Sequence, residues 1–349
     1  MKPIQIGIIG IDHRHIFGML SGMLATGATC RAWWTEGTPA TLEGFLKRFP
    51  SIERRTSIEA ILEDPLIDLI LISAIPADRA TLAIRCMEHG KDVMLDKPGC
   101  TTLADLVRIR AAVAQTGRIW SVDFSERFEV PAVIKAQELV NAGAIGRVVQ
   151  TIGIGPHRLN RALRDSWFFD DTRYGGILTD IASHQIDQFL AFTGATDAEI
   201  VAASVGNFAN PGDPGLQDFG EILLRSDHAQ GCVQGYIRVD WYTPDALPNW
   251  GDGRFIILGT EGYIELRKYV DVSGRDGTDH LFLVNRTRNE YINCANIPLT
   301  YFENLAADVR NRTATAMTFT HAAKVTELAI TAQTVAVRRG SLSTPPKLC

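Results

Sequence analysis

Several features that would place this chain in a common functional class are scarce or absent in its sequence. The 349 residues include 35 basic and 40 acidic side chains, so the formal net charge is −5 and no basic surface for nucleic acid or an anionic membrane is indicated. No apolar run approaches the ~20 residues that a transmembrane helix requires. The six cysteines form no CxxC pair, which argues against a zinc site and a disulfide framework. We therefore expect no nucleic-acid partner, no membrane partner, no bound metal and a cytoplasmic location with reduced thiols.

The N-terminal sequence MKPIQIGIIG also lacks the long apolar core and the cleavage site of a signal peptide. Hydrophobic residues make up 46% and charged residues 21% of the chain, as is usual for a globular protein. At on the order of 150 residues per domain, the length predicts about two domains.

The first third of the chain alternates short apolar runs with segments of helical character. We predict strands at residues 4–9, 30–34, 67–73, 92–95 and 119–124. We predict helices at residues 15–25, 39–49, 57–62, 78–89 and 102–116. The run IDLILIS at 67–73 is almost uninterrupted, as in a strand buried on both faces of a parallel sheet. Strands that alternate with helices form right-handed βαβ units, so an α/β, doubly wound parallel sheet is expected.

The first strand-to-helix turn of such a sheet usually binds phosphate. Here it runs from Gly10 to His15, and a dinucleotide-binding fingerprint would need Gly at positions 10, 12 and 15. Only Gly10 is present, since Asp12 places a carboxylate where a pyrophosphate should approach and His15 is bulky. Arg14, and His13 or His15 if protonated, could partly offset that negative charge. The loop by itself is therefore a weak indication of a cofactor.

Glu36 follows the second predicted strand and could accept a hydrogen bond from a ribose hydroxyl, or could be a solvated turn residue. A carboxylate there would repel a 2′-phosphate, which favours NAD over NADP unless Thr35 takes that position.

The same loop supports a rival hypothesis. His13 and His15 form an HxH pair after a first strand, as in metal-dependent hydrolases of the (β/α)₈ type. That architecture needs further ligands at later strand ends, and the remaining histidines do not fall there regularly. A metal-dependent hydrolase using His13 and His15 stays open as an alternative.

Lys97 closely follows the strand predicted at 92–95, which places its ammonium at the ligand-binding edge of the sheet. Pro98 discourages helical geometry at Lys97. A lysine near an apolar cleft can become a proton carrier, whereas a surface lysine would simply pair with Asp96.

A Gly pair at 175–176 opens the most informative stretch of the sequence, an apolar segment predicted as one helix over residues 176–192. Asp180 and His184 lie four positions apart, so they share a face of that helix. An acid and an imidazole on an apolar helix are costly unless they are paired or used in catalysis. Mutual hydrogen bonding in the core is the alternative.

The second half of the chain is mainly strands separated by Gly, Pro, Asn or Asp turns. Strands are predicted at residues 148–154, 199–205, 219–225, 230–239, 254–258, 263–266 and 280–285. With few helices between them, they predict an α+β domain with a large, mainly antiparallel sheet. The helix 176–192 would cover one face, and a partner subunit would cover the other. A closing helix is predicted at 319–338, with Arg338 and Arg339 at its C-terminus.

Two further positions are candidates for substrate contact. Trp167 begins an aromatic triplet that could stack on a sugar or simply pack in the core. His157 and Arg158 follow a strand and could bind substrate hydroxyls, or could belong to a plain surface loop.

Taken together, these motifs resemble the Gfo/Idh/MocA oxidoreductases, the group of glucose–fructose oxidoreductase and inositol dehydrogenase. The resemblance covers nearly the whole chain. It rests on these segments: GIIG at 7–10, DKP at 96–98, Arg127-Phe128 to the turn at 143–146, WFFD at 167–170, YGGILTDIASH at 174–184 and GTEG at 259–262. The TPNxxH motif of many relatives is replaced by AIPADRA at 74–80, in which Arg79 could take over an anionic or polyol contact or pair with Asp78.

The resemblance implies a Rossmann-like dinucleotide-binding domain over 1–125 and a domain for substrate binding and oligomerisation over 126–349. Lys97, Asp180 and His184 match the family's catalytic residues. Cofactor-binding candidates are Gly10, Ile11, Asp12, His13, Glu36, Ser73, Pro76, Asp96 and Lys97. Substrate-binding candidates are Arg127, His157, Trp167, Asp180 and His184. A homodimer or homotetramer through the second sheet is also implied.

We therefore expect an NAD(P)-dependent oxidoreductase, with a preference for NAD, that oxidises a secondary alcohol of a sugar, polyol or related cyclic compound. His184 would take the hydroxyl proton as hydride passes to the nicotinamide, Lys97 would hold the alkoxide, and Asp180 would orient both. The alternatives are an NAD-retaining lyase, epimerase or glycosidase of the same fold and a non-catalytic sugar or cofactor sensor.

Overall fold

In the computed structural model, which describes residues 3–228 and 231–339, the strands form two sheets. The first sheet is entirely parallel, in the order β3-β2-β1-β4-β5-β6. Its strands are β1 (Gln5–Ile9), β2 (Thr29–Trp34), β3 (Glu53–Arg54), β4 (Leu69–Ile72), β5 (Asp92–Asp96) and β6 (Trp120–Asp123). The helices between them are α1 (Ile16–Ala25), α2 (Leu42–Arg48), α3 (Glu59–Leu62), α4 (Arg79–Glu88) and α5 (Leu103–Thr116). The predicted doubly wound sheet is confirmed.

The strand order reverses between β1 and β4, so a crevice opens beyond the carboxyl ends of these two strands. β4, sequence LILI, is buried along its whole length because helices cover both faces of the sheet. Gly10 leaves β1 with a φ of +75°, and a Cβ there would lie 2.5 Å from the Cβ of Ala74. Glycine is therefore required where the chain passes the end of β4.

An open six-stranded sheet is not the eight-stranded barrel that the hydrolase hypothesis required, so that alternative is wrong in its architecture. The open sheet follows from the reversal of strand order, which places helices on both of its faces.

Two short helices lead from the first sheet into the second domain, α6 (Ser125–Phe128) and α7 (Pro131–Asn141). The second sheet has nine strands in the order β14-β13-β12-β11-β7-β10-β9-β8-β15 and is mostly antiparallel; the pairs β7–β10 and β8–β15 are parallel. Its strands are β7 (Val148–Pro156), β8 (Glu199–Gly206), β9 (Phe219–His228), β10 (Gly231–Asp240), β11 (Arg254–Gly259), β12 (Gly262–Arg267), β13 (His280–Asn285), β14 (Asn289–Asn293) and β15 (Val337–Arg339). The predicted start of one strand, Gln230, lies outside the described residues.

The segment predicted as one helix over 176–192 is interrupted at Ile181. After the short helix α8 (Asp171–Tyr174), it forms α9 (Ile177–Asp180) and α10 (Ala182–Thr193). The Ser183 hydroxyl donates to the carbonyl oxygen of Asp180, and the N–H of His184 turns to the carbonyl of Ile181 at 3.1 Å. The expected α-helical hydrogen bond from His184 to Asp180 is therefore not made.

The C-terminal part of the described chain packs on both domains. It contains α11 (Tyr301–Asn311) and α12 (Phe319–Val335). The Tyr301 hydroxyl lies 2.8 Å from the Ser121 hydroxyl in β6, which ties α11 to the first sheet. Arg338 and Arg339, predicted at a helix C-terminus, lie instead in β15 beside β8, because the helix stops at Val335 and the chain adds an edge strand. No helix in residues 3–228 and 231–339 is both long enough and apolar enough to cross a membrane.

Candidate active site

A buried ion pair joins the two domains at the crevice. The Lys97 ammonium donates to Asp180 Oδ1 at 2.7 Å, and both side chains are buried. Lys97 follows the last residue of β5, and Asp180 ends α9. Burial by itself raises the pKa of Asp180, but the Lys97 ammonium and its hydrogen bond, together with the nearby His13, hold the pKa below its usual range. A fixed ammonium beside a carboxylate can stabilise negative charge on a substrate oxygen.

His184 lies one turn beyond Asp180 and is also buried. Its Nδ1 has no hydrogen-bond partner among the described residues. Burial lowers its pKa to about 3, and the Glu126 carboxylate opposes that shift only partly. The ring is therefore neutral at ordinary pH. Its centroid lies 6.4 Å from that of His15.

The carboxylate of Asp96 joins the Gly10–His15 loop to the strand that precedes Lys97. Asp96 Oδ1 accepts from His15 Nδ1 at 2.7 Å, and Oδ2 lies 2.8 Å from His13 Nδ1. Arg79 donates to the same carboxylate at 2.8 Å. Burial alone raises the pKa of Asp96, but Arg79 and the two histidines hold it well below its usual range. The loop conformation and the position of Lys97 are thereby coupled.

The sequence predicted that Arg79 would either contact an anionic group or polyol or pair with Asp78. Both predictions are wrong, because Arg79 is buried away from the two cavities described below and pairs with Asp96. Its guanidinium is fully buried and also donates to backbone carbonyls at the end of β5, including those of Asp96 and Pro98 at 2.9 and 3.0 Å. It occupies the position of a structural cross-link because α4 packs against β5.

His13, His15 and Asp96 have the chemistry of metal ligands, and their ligand atoms lie within 4.8 Å of one another. The N···O separations of 2.7 and 2.8 Å are hydrogen-bond distances, however, and the Arg79 cation already neutralises the carboxylate. These contacts favour a hydrogen-bonded network over a metal centre.

Two adjoining cavities flank this network. The first, of about 400 Å³, is called the catalytic cavity; its lining includes His15, Lys97, His157, Arg164, Asp180 and Trp241. The second, of about 300 Å³, is called the loop cavity; its lining includes Asp12, His13, Arg14, Thr41, Arg164 and Trp167. Arg14 and Arg164 line both cavities. Together the cavities follow the crevice from the Gly10–His15 loop to Lys97.

The loop cavity can accept a dinucleotide through side chains more than through backbone. The N–H of His13 donates to the carbonyl of Ser73 at 3.0 Å, so it is already used within the protein. Burial raises the pKa of the Asp12 carboxyl to about 6. Arg14, which is exposed on the loop itself, supplies positive charge of the kind that a diphosphate requires. The donor set therefore fits a nicotinamide dinucleotide, although its glycines are replaced.

The other predicted cofactor residues occupy the walls around the loop. Ile11 is buried, and its N–H lies 3.4 Å from the Thr35 hydroxyl. Thr35 is buried, and Glu36 is the first exposed residue after β2. Ser73 and Pro76 are buried behind the loop.

Of the predicted substrate residues, His157 lines the catalytic cavity, with its ring 5.3 Å from that of Trp241 and 4.6 Å from that of Trp250. Trp167 lines the loop cavity instead, 6.5 Å from the His13 ring. Arg127 is not brought to either cavity, because it pairs with Asp187 at 2.6 Å.

Comparisons with known proteins identify the family. The model described as "Oxidoreductase family, NAD-binding Rossmann fold" matches residues 35–124, and the "GFO/IDH/MocA C-terminal domain" matches residues 133–265. A crystal structure classed as an oxidoreductase from Erwinia carotovora atroseptica SCRI1043 is 42% identical, with a TM-score of 0.92 over 96% of this chain and 99% of that chain. The chain belongs to the Gfo/Idh/MocA family.

Two further similarities concern named enzymes. The scyllo-inositol 2-dehydrogenase (NAD(+)) of Bacillus subtilis (strain 168) is 27% identical over 58% of this Gfo/Idh/MocA chain and 56% of that enzyme, so the match spans about half of the curated relative. A levoglucosan dehydrogenase in complex with NADH has a TM-score of 0.75 at 20% identity, over 95% of this chain and 97% of that chain, which shows likeness of fold. The Rossmann match begins at residue 35, after the altered Gly10–His15 loop.

Sequence reasoning missed five residues that line the catalytic cavity of this Gfo/Idh/MocA protein: Asn160, Leu163, Arg164, Trp241 and Trp250. Trp241 and Trp250 come from the segment after β10, which is remote from the recognised motifs, whereas Arg164 lies three positions before the WFFD segment at 167–170. The two tryptophans flank a proline-containing loop, WYTPDALPNW, after β10. This pairing of large aromatic residues in a loop was the sequence signal that could have pointed to them. Nothing local to Arg164 distinguishes it from its neighbour Arg161.

Proposed function

We propose that this protein is an NAD(P)-dependent dehydrogenase that acts on a CH–OH group of a sugar, a polyol or a related cyclic compound. The observation that carries the proposal is the Lys97–Asp180 pair, with its 2.7 Å contact, at the wall of a cavity of about 400 Å³. The family's nicotinamide cofactor, when bound, supplies the hydride acceptor or donor. The chain's own residues must then position the alcohol and move its proton.

Lys97 would hold the developing alkoxide through a charge-assisted hydrogen bond, and Asp180 keeps the ammonium in place. His184, whose buried imidazole is neutral, would take the hydroxyl proton. Asp180 and His184 would therefore have separate roles. The helix is broken at Ile181 between them, and the Asp180 carboxylate accepts a hydrogen bond from Lys97 and none from His184 among the described residues.

Residues 1–125 would bind the cofactor, and residues 126–349 would bind substrate. Gly10, Ile11, Asp12, His13, Ser73, Pro76 and Asp96 would frame the loop that faces the diphosphate. The exposed Glu36 carboxylate would accept a hydrogen bond from an adenosine ribose and repel a 2′-phosphate, which favours NAD over NADP.

The outer face of the second sheet supports a homodimer or homotetramer. The large apolar side chains exposed on this sheet include Leu223, Leu258, Tyr263 and Tyr291. Light scattering after size exclusion should give a mass of two or four chains, and Leu223→Lys should lower it. Cys30, Cys86, Cys100, Cys232 and Cys294 are unbridged, which fits the reducing cytoplasm as the proposed location.

The test is a spectrophotometric assay of purified protein with NAD⁺ and NADP⁺ against a panel of sugars, polyols and sugar acids. We expect NAD(P)H formation with a subset of the panel and a loss of about 10²–10³-fold in kcat/KM for Lys97→Met. Lys135→Met is the matched control, because Lys135 makes only an exposed pair with Glu138. Equal turnover by the Lys97 and Lys135 variants would reject the assigned role.

One observation favours a second candidate, a cofactor or sugar sensor. The carboxylate of Asp12 in the Gly10–His15 loop opposes the binding of a diphosphate whenever it is ionised. Saturable binding of NADH and sugar without turnover anywhere on the panel would select that candidate.

A further inference from the structure

The charges that line the catalytic cavity are strongly unbalanced. Four cationic side chains face it, those of Arg14, Lys97, Arg158 and Arg164, against the single carboxylate of Asp180. That carboxylate is already paired with Lys97 at 2.7 Å. The three imidazoles that line the cavity, those of His13, His15 and His157, cannot supply balancing negative charge because imidazole is neutral or positive. A neutral sugar would leave this excess of positive charge unmatched.

Arg164 is the guanidinium most clearly prepared for an anion. It lies 4.3 Å from the Phe168 ring centroid and 5.1 Å from that of Trp241, and its Nε donates to the Leu159 carbonyl at 3.0 Å. Burial lowers its pKa to about 10, and the nearby Asp180 carboxylate only partly opposes that effect. No carboxylate of the described residues lies within 4.0 Å of it. Stacking and the Nε bond fix the plane of the fork while its outer nitrogens have no hydrogen-bond partner in the described chain.

The other two arginines differ from Arg164 in this respect. Arg158 is committed to structure, since it donates to the carbonyls of Pro244 and Leu247 at 2.7 Å. Its Nε also lies 3.9 Å from the exposed Asp245 carboxylate. Arg14 is exposed on the loop beside Arg164, where it can add a second positive charge.

The position of Arg164 relative to the two cavities bears on whether it binds substrate or cofactor. In the loop cavity, Arg14 and Arg164 face two carboxylates, Asp12 and Asp165, so charge there is nearly even. Arg164 nevertheless lies towards the side of Lys97, because it is 5.1 Å from the ring of Trp241, and Trp241 lines the catalytic cavity but not the loop cavity. The Arg164 guanidinium is therefore placed beside the space where the reacting alcohol is proposed to bind.

We propose that Arg164, assisted by Arg14, binds a carboxylate of the substrate, so that the compound oxidised is a sugar acid or a similar polyhydroxy acid. This rests on the proposed dehydrogenase function. The planar fork of Arg164 binds a carboxylate through two parallel hydrogen bonds, and the Trp241 ring offers an adjacent apolar face for the carbon skeleton.

The experiment uses matched pairs of acid and neutral compounds: glucuronate and glucose, galacturonate and galactose, gluconate and glucitol, together with glucose 6-phosphate. Steady-state kinetics, thermal shift and NADH fluorescence titration are measured on the full chain. The variants are Arg164→Gln and Arg164→Lys. Arg161→Gln is the control, because Arg161 is exposed on the same turn and pairs with Asp213 outside both cavities.

We expect wild-type protein to prefer at least one acid over its neutral partner by about tenfold or more in kcat/KM. Arg164→Gln should lose about 30-fold or more on that acid, mainly through KM, and change little on the neutral partner. Arg164→Lys should recover part of the loss, since it keeps the charge but not the fork. NADH affinity and the Arg161→Gln variant should match wild type.

Three outcomes overturn the inference while leaving the dehydrogenase proposal intact: equal use of acids and neutral partners, preference for the sugar phosphate, or a loss in Arg164→Gln that falls on NADH affinity. If no compound is turned over, the thermal shift still decides. If an acid stabilises the wild-type protein and Arg164→Gln abolishes that stabilisation, the carboxylate site is supported although the dehydrogenase proposal fails. If none of the acids stabilises the wild-type protein, the carboxylate site is rejected.

Discussion

The guanidinium of Arg79 lies 2.8 Å from the carboxylate of Asp96, and neither side chain is exposed to solvent. This pair holds together α4, the end of β5 and, through His13 and His15, the Gly10–His15 loop. Because Lys97 is the next residue, the pair also fixes the base of the proposed catalytic ammonium.

Removing the guanidinium should therefore destabilise the protein strongly. We expect Arg79→Met to lower the free energy of unfolding by about 3–5 kcal/mol, because it leaves a buried carboxylate without its main counter-ion. Urea denaturation measures the change. Arg85→Gln breaks the exposed pair with Glu59 and should cost at most about 1 kcal/mol. Similar costs for the two variants would contradict a structural role of the buried pair.

His184→Asn tests the proton acceptor of the proposed reaction. We expect kcat/KM to fall by about 10²–10⁴-fold, because the alcohol loses its general base. NADH affinity should remain within a few-fold of wild type. His89→Asn is a suitable control, since His89 is exposed and bonds only the Arg85 carbonyl. Retained turnover in the His184 variant would assign proton transfer to another group.

The affinity for NADH should depend on the ionisation of Asp12. Burial raises the pKa of this carboxyl to about 6, so it is neutral below that pH and negative above it. The negative form repels a diphosphate, and NADH should bind more tightly at pH 5 than at pH 7.5. Asp12→Asn should bind more tightly at pH 7.5 and lose this dependence. Fluorescence titration of NADH at both pH values measures the affinities. If the loop does not contact the diphosphate, wild type and Asp12→Asn should show the same change in NADH affinity with pH.

Three imidazoles that are buried in the neutral form should make the protein less stable in mild acid, whereas the raised pKa values of Asp12, Asp123 and Glu129 act in the opposite direction. Burial lowers the pKa of His184 to about 3 and those of His13 and His157 to about 4. Their ordinary value is 6.5, so below that pH the unfolded chain binds protons that the native protein excludes. The free energy of unfolding therefore carries no penalty from these imidazoles above pH 6.5. It falls progressively as the pH drops towards about 4 for His13 and His157 and about 3 for His184.

Urea denaturation at pH 7.5, 6 and 5 measures the slope of the free energy of unfolding against pH. His157→Gln should flatten it, since one of the three groups is removed. Asp12 acts in the opposite direction, because its raised pKa lets the native state bind a proton between pH 3.8 and about 6. Asp12→Asn should therefore steepen the slope, and a slope unchanged in both variants would contradict the assignment.

The sequence by itself determined the class of fold and the family. The apolar run of β4 and the strand–helix alternation up to β6 follow from contacts between near neighbours and from the need to bury both faces of a parallel sheet. The segments around Lys97, Asp180 and His184 were recognisable because their residue types and order are compact in sequence. The domain boundary at residue 125 stays a prediction, as do the catalytic roles.

Only the tertiary structure decided which side chains meet. Lys97 and Asp180 are 83 positions apart and touch because two domains pack together. The burial of Arg79, the displacement of Arg127, and the entry of Arg164 and Trp241 into the cavity depend on the same packing. Periodicity assigns a residue to a strand or a helix, but it carries no information on which distant loop will cover it. The break at Ile181 shows this locally, since one serine hydroxyl took the carbonyl that an unbroken helix would have used.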